Sequence, residues 1–121
     1  MESGTAVSAP DAGTGSRTIA AALPAAVAKY AGNPALRFKA GDEWRDVSYS
    51  ELGDTVREVS LGLVDLGIQH GDRVAILSHT RPEWTYANYG ILTTGATSVS
   101  IYQTNSPEEC HYVLEHSESR A

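Results

Sequence analysis

Leu52, Val56, Val59, Leu63 and Leu66 recur at intervals of four, three, four and three, the signature of one apolar stripe along an amphipathic helix. Ser48-Tyr-Ser-Glu51 stands just before the stripe with capping-box spacing, and Val47 and Leu52 fall where a hydrophobic staple puts them. Gly67 ends the helix where a left-handed cap is favoured, with Ile68 folding back on the last turn. An earlier stripe, Ile19, Leu23, Val27 and Tyr30, predicts a helix from Thr18 to Tyr30. Pro24 either kinks it or starts it anew, and Gly32 and Asn33-Pro34 end it. Between the two, Ala35–Lys39 and Glu43–Val47 flank Ala40-Gly-Asp42. Leu36, Phe38, Trp44 and Val47 suit strands, so an antiparallel hairpin is predicted.

After the turn at Gly71-Asp72 the pattern changes. Arg73–Leu77 is a short apolar run that reads as a strand covered on both faces. Thr80-Arg-Pro-Glu83 has the spacing of a second capping box with proline in the first turn. It predicts a helix to about Thr94, with Trp84, Ala87, Ile91 and Leu92 inward and Gly95 as its stop. Thr97–Ile101 is a further β-branched strand. Ser106-Pro-Glu-Glu109 then opens a third boxed helix to about Ser117, with Cys110, Val113 and Leu114 on one face. Strand, helix and strand in this order predict parallel neighbours joined by a right-handed crossover. The alternation calls for another strand after this helix, but Ser119-Arg-Ala121 stands in its place, so the parallel pair is expected to lack a third partner and to have an open edge and uncovered apolar faces. The fold class is α/β.

Composition adds scale. With 41% apolar and 20% charged residues, the chain of 121 residues is ordinary for a globular protein. That length supports one modest core and is short for a substrate-binding α/β enzyme, so the chain reads as part of something larger. Residues 1–16 are almost entirely small or polar, the composition of a flexible tail. Fifteen acids against nine Lys and Arg give a net charge of −6, and the basic residues form no run. Neither nucleic acid nor an anionic lipid surface is therefore an expected partner. Cys110 is the one cysteine, which excludes an internal disulfide and makes residence inside the cell, in the cytoplasm, the expectation. Arg17 followed by Ile19–Ala28 imitates a secretory signal, but Glu2 and Asp11 precede it and Pro24 interrupts it. No segment approaches the ~20 apolar residues of a membrane span.

Candidate chemistry is sparse. Gly13-Thr-Gly15 resembles the start of a dinucleotide fingerprint, with no preceding strand signal and no third glycine at the needed spacing. His111, Glu115 and His116 lie on one helix, but a five-residue separation turns the two imidazoles apart, which suits a solvated face better than a metal site. Adjacent helical residues such as Cys110 and His111 do not face each other, so the thiol reads as packed and inert. Ser78-His79-Thr80 and Tyr102-Gln-Thr-Asn105 follow the two parallel strands, at the rim where open α/β sheets bind ligands. They either line a site or serve as turn and cap residues. No nucleophile elbow, P-loop or H-E-x-x-H motif occurs.

An ordered set of motifs carries a family resemblance. Tyr49-Ser-Glu-Leu52, Gly62-Leu63 with Leu66-Gly67, Gly71-Asp-Arg-Val-Ala-Ile-Leu77, Arg81-Pro-Glu-Trp84 and Tyr102–Leu114 follow one another as near the start of AMP-forming acyl-CoA synthetases. Over residues 18–121 the chain most resembles the bacterial long-chain fatty-acid CoA ligases of this adenylate-forming superfamily. The resemblance implies ATP-dependent activation of a long-chain fatty acid to an acyl-adenylate, then transfer to coenzyme A, with ATP, Mg2+ and coenzyme A as cofactors of the complete enzyme. It allows peripheral membrane contact for that enzyme. It places residues 17–121 in an incomplete N-terminal part of the large domain, inactive alone. The family's phosphate loop, acids and lysine lie beyond the matched region. Lys29 and Lys39 do not match the lysine motif, so no catalytic, cofactor-binding or metal-binding residue is assigned. The alternative is a free-standing small α/β module that binds a nucleotide or a protein without catalysis.

Overall fold

A computed structural model describes residues 13–121, so most of the expected tail lies outside the described residues. Gly13 and Gly15 adopt positive φ in a turn that leads into the first helix, α1 (Ile19–Tyr30). Thr18 caps α1 by accepting from the Ala21 amide at 3.1 Å. Pro24 sits inside the helix, which runs through it without a restart. Strands β1 (Pro34–Ala40) and β2 (Glu43–Ser48) form the expected hairpin, with Ala40 opposite Glu43. The two-residue turn between them puts Gly41 at φ 64°, a conformation that favours glycine.

Helix α2 (Tyr49–Asp65) has both limbs of its capping box. The Glu51 amide donates to Ser48 Oγ at 3.1 Å and the Ser48 amide to Glu51 Oε1 at 2.9 Å. At its far end Gly67 donates to the Val64 carbonyl and Ile68 to the Leu63 carbonyl, both at 3.0 Å, the bond pair of a Schellman motif. Leu52, Val56 and Ser60 are buried. Leu66 departs from the predicted stripe and is 80% exposed: as the C-cap it lies where the chain leaves the helix, and Ile68 takes the buried place.

The parallel pair is formed by β3 (Arg73–Leu77) and β4 (Thr97–Ile101), aligned from Arg73–Thr97 to Leu77–Ile101. Helix α3 (Pro82–Thr93) connects them. The expectation that β3 is covered on both faces fails. Val74 and Ile76 are buried, while Leu77 is 57% exposed, so burial follows strand alternation with one face packed. The predicted box at Thr80–Glu83 also fails. The cap residue is Arg81, with Pro82 next, and no side chain caps the helix. One position of slippage leaves Glu83 too early to reach back, and its carboxylate instead pairs with Arg81 Nε at 2.9 Å.

Helix α4 (Pro107–Ser117) has its capping box, through Ser106 and Glu109, yet buries no residue. Cys110 and Val113 are half-buried and Leu114 is exposed to 41%, so the expected inward face is only partly covered. Its C-terminus is tied to β3: Arg73 Nε donates to the Ser117 carbonyl and Arg73 Nη2 meets Glu118 Oε1 at 3.0 Å. The edge expected to be open is partly bonded: the Arg120 amide donates to Arg73 O at 2.7 Å and the Ala75 amide to Ala121 O at 2.8 Å. Residue numbers ascend together in these two bonds, so the segment runs parallel to β3 on the side away from β4.

Two apolar clusters form the core. Ile68, Val74, Ile76, Ile91 and Ala96 make one beneath the parallel strands, joined by Leu63, Trp84 and Ala87. Leu23, Leu52 and Val56 make the other, joined by Val27, Val47 and two tyrosines of α3, Tyr86 and Tyr89. Both α2 and α3 contribute to each cluster, which fixes the α3 N-terminus relative to the hairpin and to the strand ends.

Candidate functional site

β3 and β4 end side by side, and the segments that leave them define a cleft of about 420 Å3. Ser78 and Thr80 come from the β3 exit, Tyr102 and Gln103 from the β4 exit, and Arg81, Trp84 and Thr85 from the start of α3. The sequence therefore locates both rims, and the fold brings them together. It also sorts them. His79 is exposed and belongs to a neighbouring groove. Asn105 donates its amide to the Tyr102 carbonyl at 3.0 Å, the turn-forming role, and only Tyr102 and Gln103 of that segment line the cleft.

The chemistry of the cleft is that of a polar rim on an apolar floor. Ser78 Oγ donates to the His79 carbonyl at 2.9 Å, so this hydroxyl is engaged with the backbone rather than poised beside a base. Tyr102 is 79% exposed, and its phenol stands open at the rim. Trp84 reaches from the floor into the cluster beneath the sheet. The hydrogen bond from Arg81 holds the Glu83 carboxyl below the usual carboxylate range and raises the Arg81 guanidinium. Burial, reinforced by Glu83 and Glu51, raises Tyr86 in the next turn. Such a site can bind and orient a polar group; it contains no nucleophile hydrogen-bonded to a base.

Arg81, Trp84, Thr85 and Ser100 are the lining residues that spacing alone does not identify. Arg81 and Trp84 stand in the Arg-Pro-Glu-Trp motif, which is the signal that singles them out. The other candidates disperse. His111 Nε2 meets Glu115 Oε2 at 3.3 Å on an exposed face, and His116 stacks on Tyr112 with ring centroids 5.3 Å apart. The Cys110 thiol is half-buried, 3.9 Å from the Asn105 carbonyl. Lys29 Nζ donates to the Gly13 carbonyl at 2.8 Å, and Lys39 lies on the hairpin. Among the described residues no group of three His, Cys, Asp or Glu could hold a metal ion. No helix among them is long and apolar enough to cross a membrane.

Comparison with known proteins gives a consistent neighbourhood. The family described as AMP-binding enzyme matches residues 23–121. The long-chain-fatty-acid–CoA ligase FadD15 of Mycobacterium bovis is 46% identical over 76 residues, 63% of this chain and 13% of that protein. The long-chain-fatty-acid–CoA ligase ACSBG2 of Xenopus laevis is 38% identical over 93 residues, 77% of this chain and again 13% of the relative. In fold, the N-terminal subdomain of Klebsiella oxytoca NpsA superposes with a TM-score of 0.77 at 20% identity, covering 84% of this chain and 26% of that one. A fatty acid AMP ligase from Legionella pneumophila gives a TM-score of 0.74 at 17% identity, covering 83% and 18%.

Proposed function

Because the chain belongs to the AMP-binding enzyme family, we propose that it is a portion of a long-chain fatty-acid CoA ligase and supplies part of that enzyme's large-domain scaffold. The observation that carries this reading is the 46% identity to a long-chain-fatty-acid–CoA ligase. The chain spans 13% of the length of that relative, so the reaction belongs to a protein of the family's full size. In that protein a long-chain fatty acid is activated by ATP to an acyl-adenylate and passed to coenzyme A, with Mg2+ as the metal cofactor, in the cytoplasm. Residues 17–121 are the family unit in this reading, and residues 1–16 lie outside it.

The residues described here do not by themselves fit a Mg-ATP site. Neither lysine stands at the strand-end cleft, and the acids do not converge. No step of the reaction is therefore assigned to them. Their role is to hold two strand ends in register, so that Ser78, Thr80, Tyr102 and Gln103 shape one wall of a larger cleft.

A chimera tests the reading. Residues 17–121 replace the matching segment of the FadD15 ligase, and AMP release is followed with palmitate, ATP and coenzyme A. The expected result is palmitate-dependent AMP release by the chimera and none by the 121-residue chain alone. A chimera that unfolds cooperatively but releases no AMP overturns the scaffold reading, and so does palmitate-dependent AMP release by the short chain. Nucleotide binding by the short chain with no effect of the graft would instead favour an independent binding module.

A further inference from the structure

Strand β2 is the outer edge of the hairpin. One side of β1 pairs with β2, and residues 36–39 of β1 face a cleft shared with the first turns of α3. On the far side of β2, no backbone hydrogen bond from another element reaches Glu43–Val47 among the described residues. Glu43, Trp44, Arg45 and Asp46 are all exposed, Trp44 to 64%. A row of unpaired amides and carbonyls with a large apolar ring in its middle is a template for a further strand.

Charge commonly guards such edges, so the order of signs along β2 decides whether pairing is repelled or specified. Asp46 is committed to Arg37, whose Nε and Nη2 donate to its carboxylate at 2.7 and 3.1 Å. Glu43 and Arg45 make no ion pair or side-chain hydrogen bond among the described residues. They share one face of the strand, and Trp44 stands on the other. Two antiparallel copies of β2 about a two-fold axis set residues of the same face opposite one another. With Trp44 on the axis, Glu43 lies opposite the partner's Arg45 and Arg45 opposite the partner's Glu43. An axis at Glu43, Arg45 or Asp46 would set a charge against itself. On the other face Lys39 is the cross-strand partner of Trp44, so the two indoles would meet with an ammonium on each flank.

We propose that two copies of this chain associate through their β2 edges, joining the two hairpins into one antiparallel sheet with Trp44 at the two-fold axis. A second copy is the occupant because the edge is complementary to itself: one register pairs both uncommitted charges and buries both exposed indoles. The like-charged approach in that register, Asp42 to the partner's Asp46, is offset by Arg37 on Asp46. Contact limited to residues 42–46 of each copy falls at the low end of interface sizes, so the dimer is weak and forms at high micromolar concentration. The inference rests on the hairpin edge and is independent of the ligase reading.

Charge exchange across the axis is the test, with sedimentation equilibrium of the 121-residue chain reading mass against concentration. Glu43→Arg and Arg45→Glu change the net charge in opposite directions, yet each sets two like-charged pairs across the axis. Each is expected to weaken dimerisation by about tenfold, and the double exchange to restore it to within about threefold. Trp44 emission is followed in a Trp84→Phe variant, which leaves Trp44 as the one tryptophan. It is expected to shift to the blue as concentration rises, and to stay in place when either single reversal is added. Absence of a dimer, failure of the double exchange to restore it, or an emission independent of concentration overturns the proposal. Association untouched by the single reversals also overturns it, and assigns the contact to the edge of the parallel pair.

Discussion

At Gly90 two effects of opposite sign compete. The residue is buried in α3, and an alanine in a helix interior is favoured over glycine by about 1 kcal/mol. A Cβ at this position would stand 2.5 Å from Val59 Cγ1 and 3.0 Å from Val59 Cβ, so α2 would have to shift. Overpacking of this kind costs about 1–3 kcal/mol, enough to outweigh propensity. Gly90→Ala is therefore expected to lower stability, and Val59→Ala in the same chain to restore part of the loss, as read by urea unfolding of the four members of the cycle. A stabilised single variant would show that the helices do not cross so closely. Nothing in the sequence marks Gly90 out, because its constraint comes from a residue on another helix. Leu66 and Leu77 make the same point in reverse: both have the spacing of core residues, and both stand in water.

Among the elements, the termini are the most legible parts. Ser48 to Glu51 and Ser106 to Glu109 read as capping boxes and are capping boxes, because all four groups involved lie within four consecutive residues. Thr80 to Glu83 has the same spacing and fails, since α3 starts one residue later and Arg81 draws the Glu83 carboxylate away. The difference is measurable. Ser48→Ala is expected to cost about 1 kcal/mol of stability, as for other lost caps, whereas Thr80→Ala should stay within about 0.5 kcal/mol. Equal losses in thermal unfolding would restore Thr80 as a cap. Pro24 shows a similar limit: its sequence position permits a kink or a new start, and only the assembled helix shows that α1 continues through it.

For the molecule as a whole, the sheet is the exposed element. The parallel pair has two strands, and among the described residues only Arg120 and Ala121 bond to the free side of β3, while Leu77 presents apolar surface at its end. Open strand edges template pairing with other chains. The 121-residue chain is accordingly expected to associate as its concentration rises, seen as growing mass in light scattering; a monodisperse monomer at all concentrations would refute this. The candidate site follows the same division between local and assembled information. Sequence alone determined the α/β order, the hairpin and two capping boxes, since each rests on residues near one another in the chain, and the family, which an ordered set of motifs from Tyr49 to Leu114 carries. It also pointed to both strand exits as rims. Tertiary structure decided that the exits share one cleft, that His79 and Asn105 fall outside it, and that Arg81 and Trp84 fall inside. These facts depend on the parallel register of β3 with β4 and on α3 packing into both clusters, contacts between residues distant in sequence that no local pattern encodes.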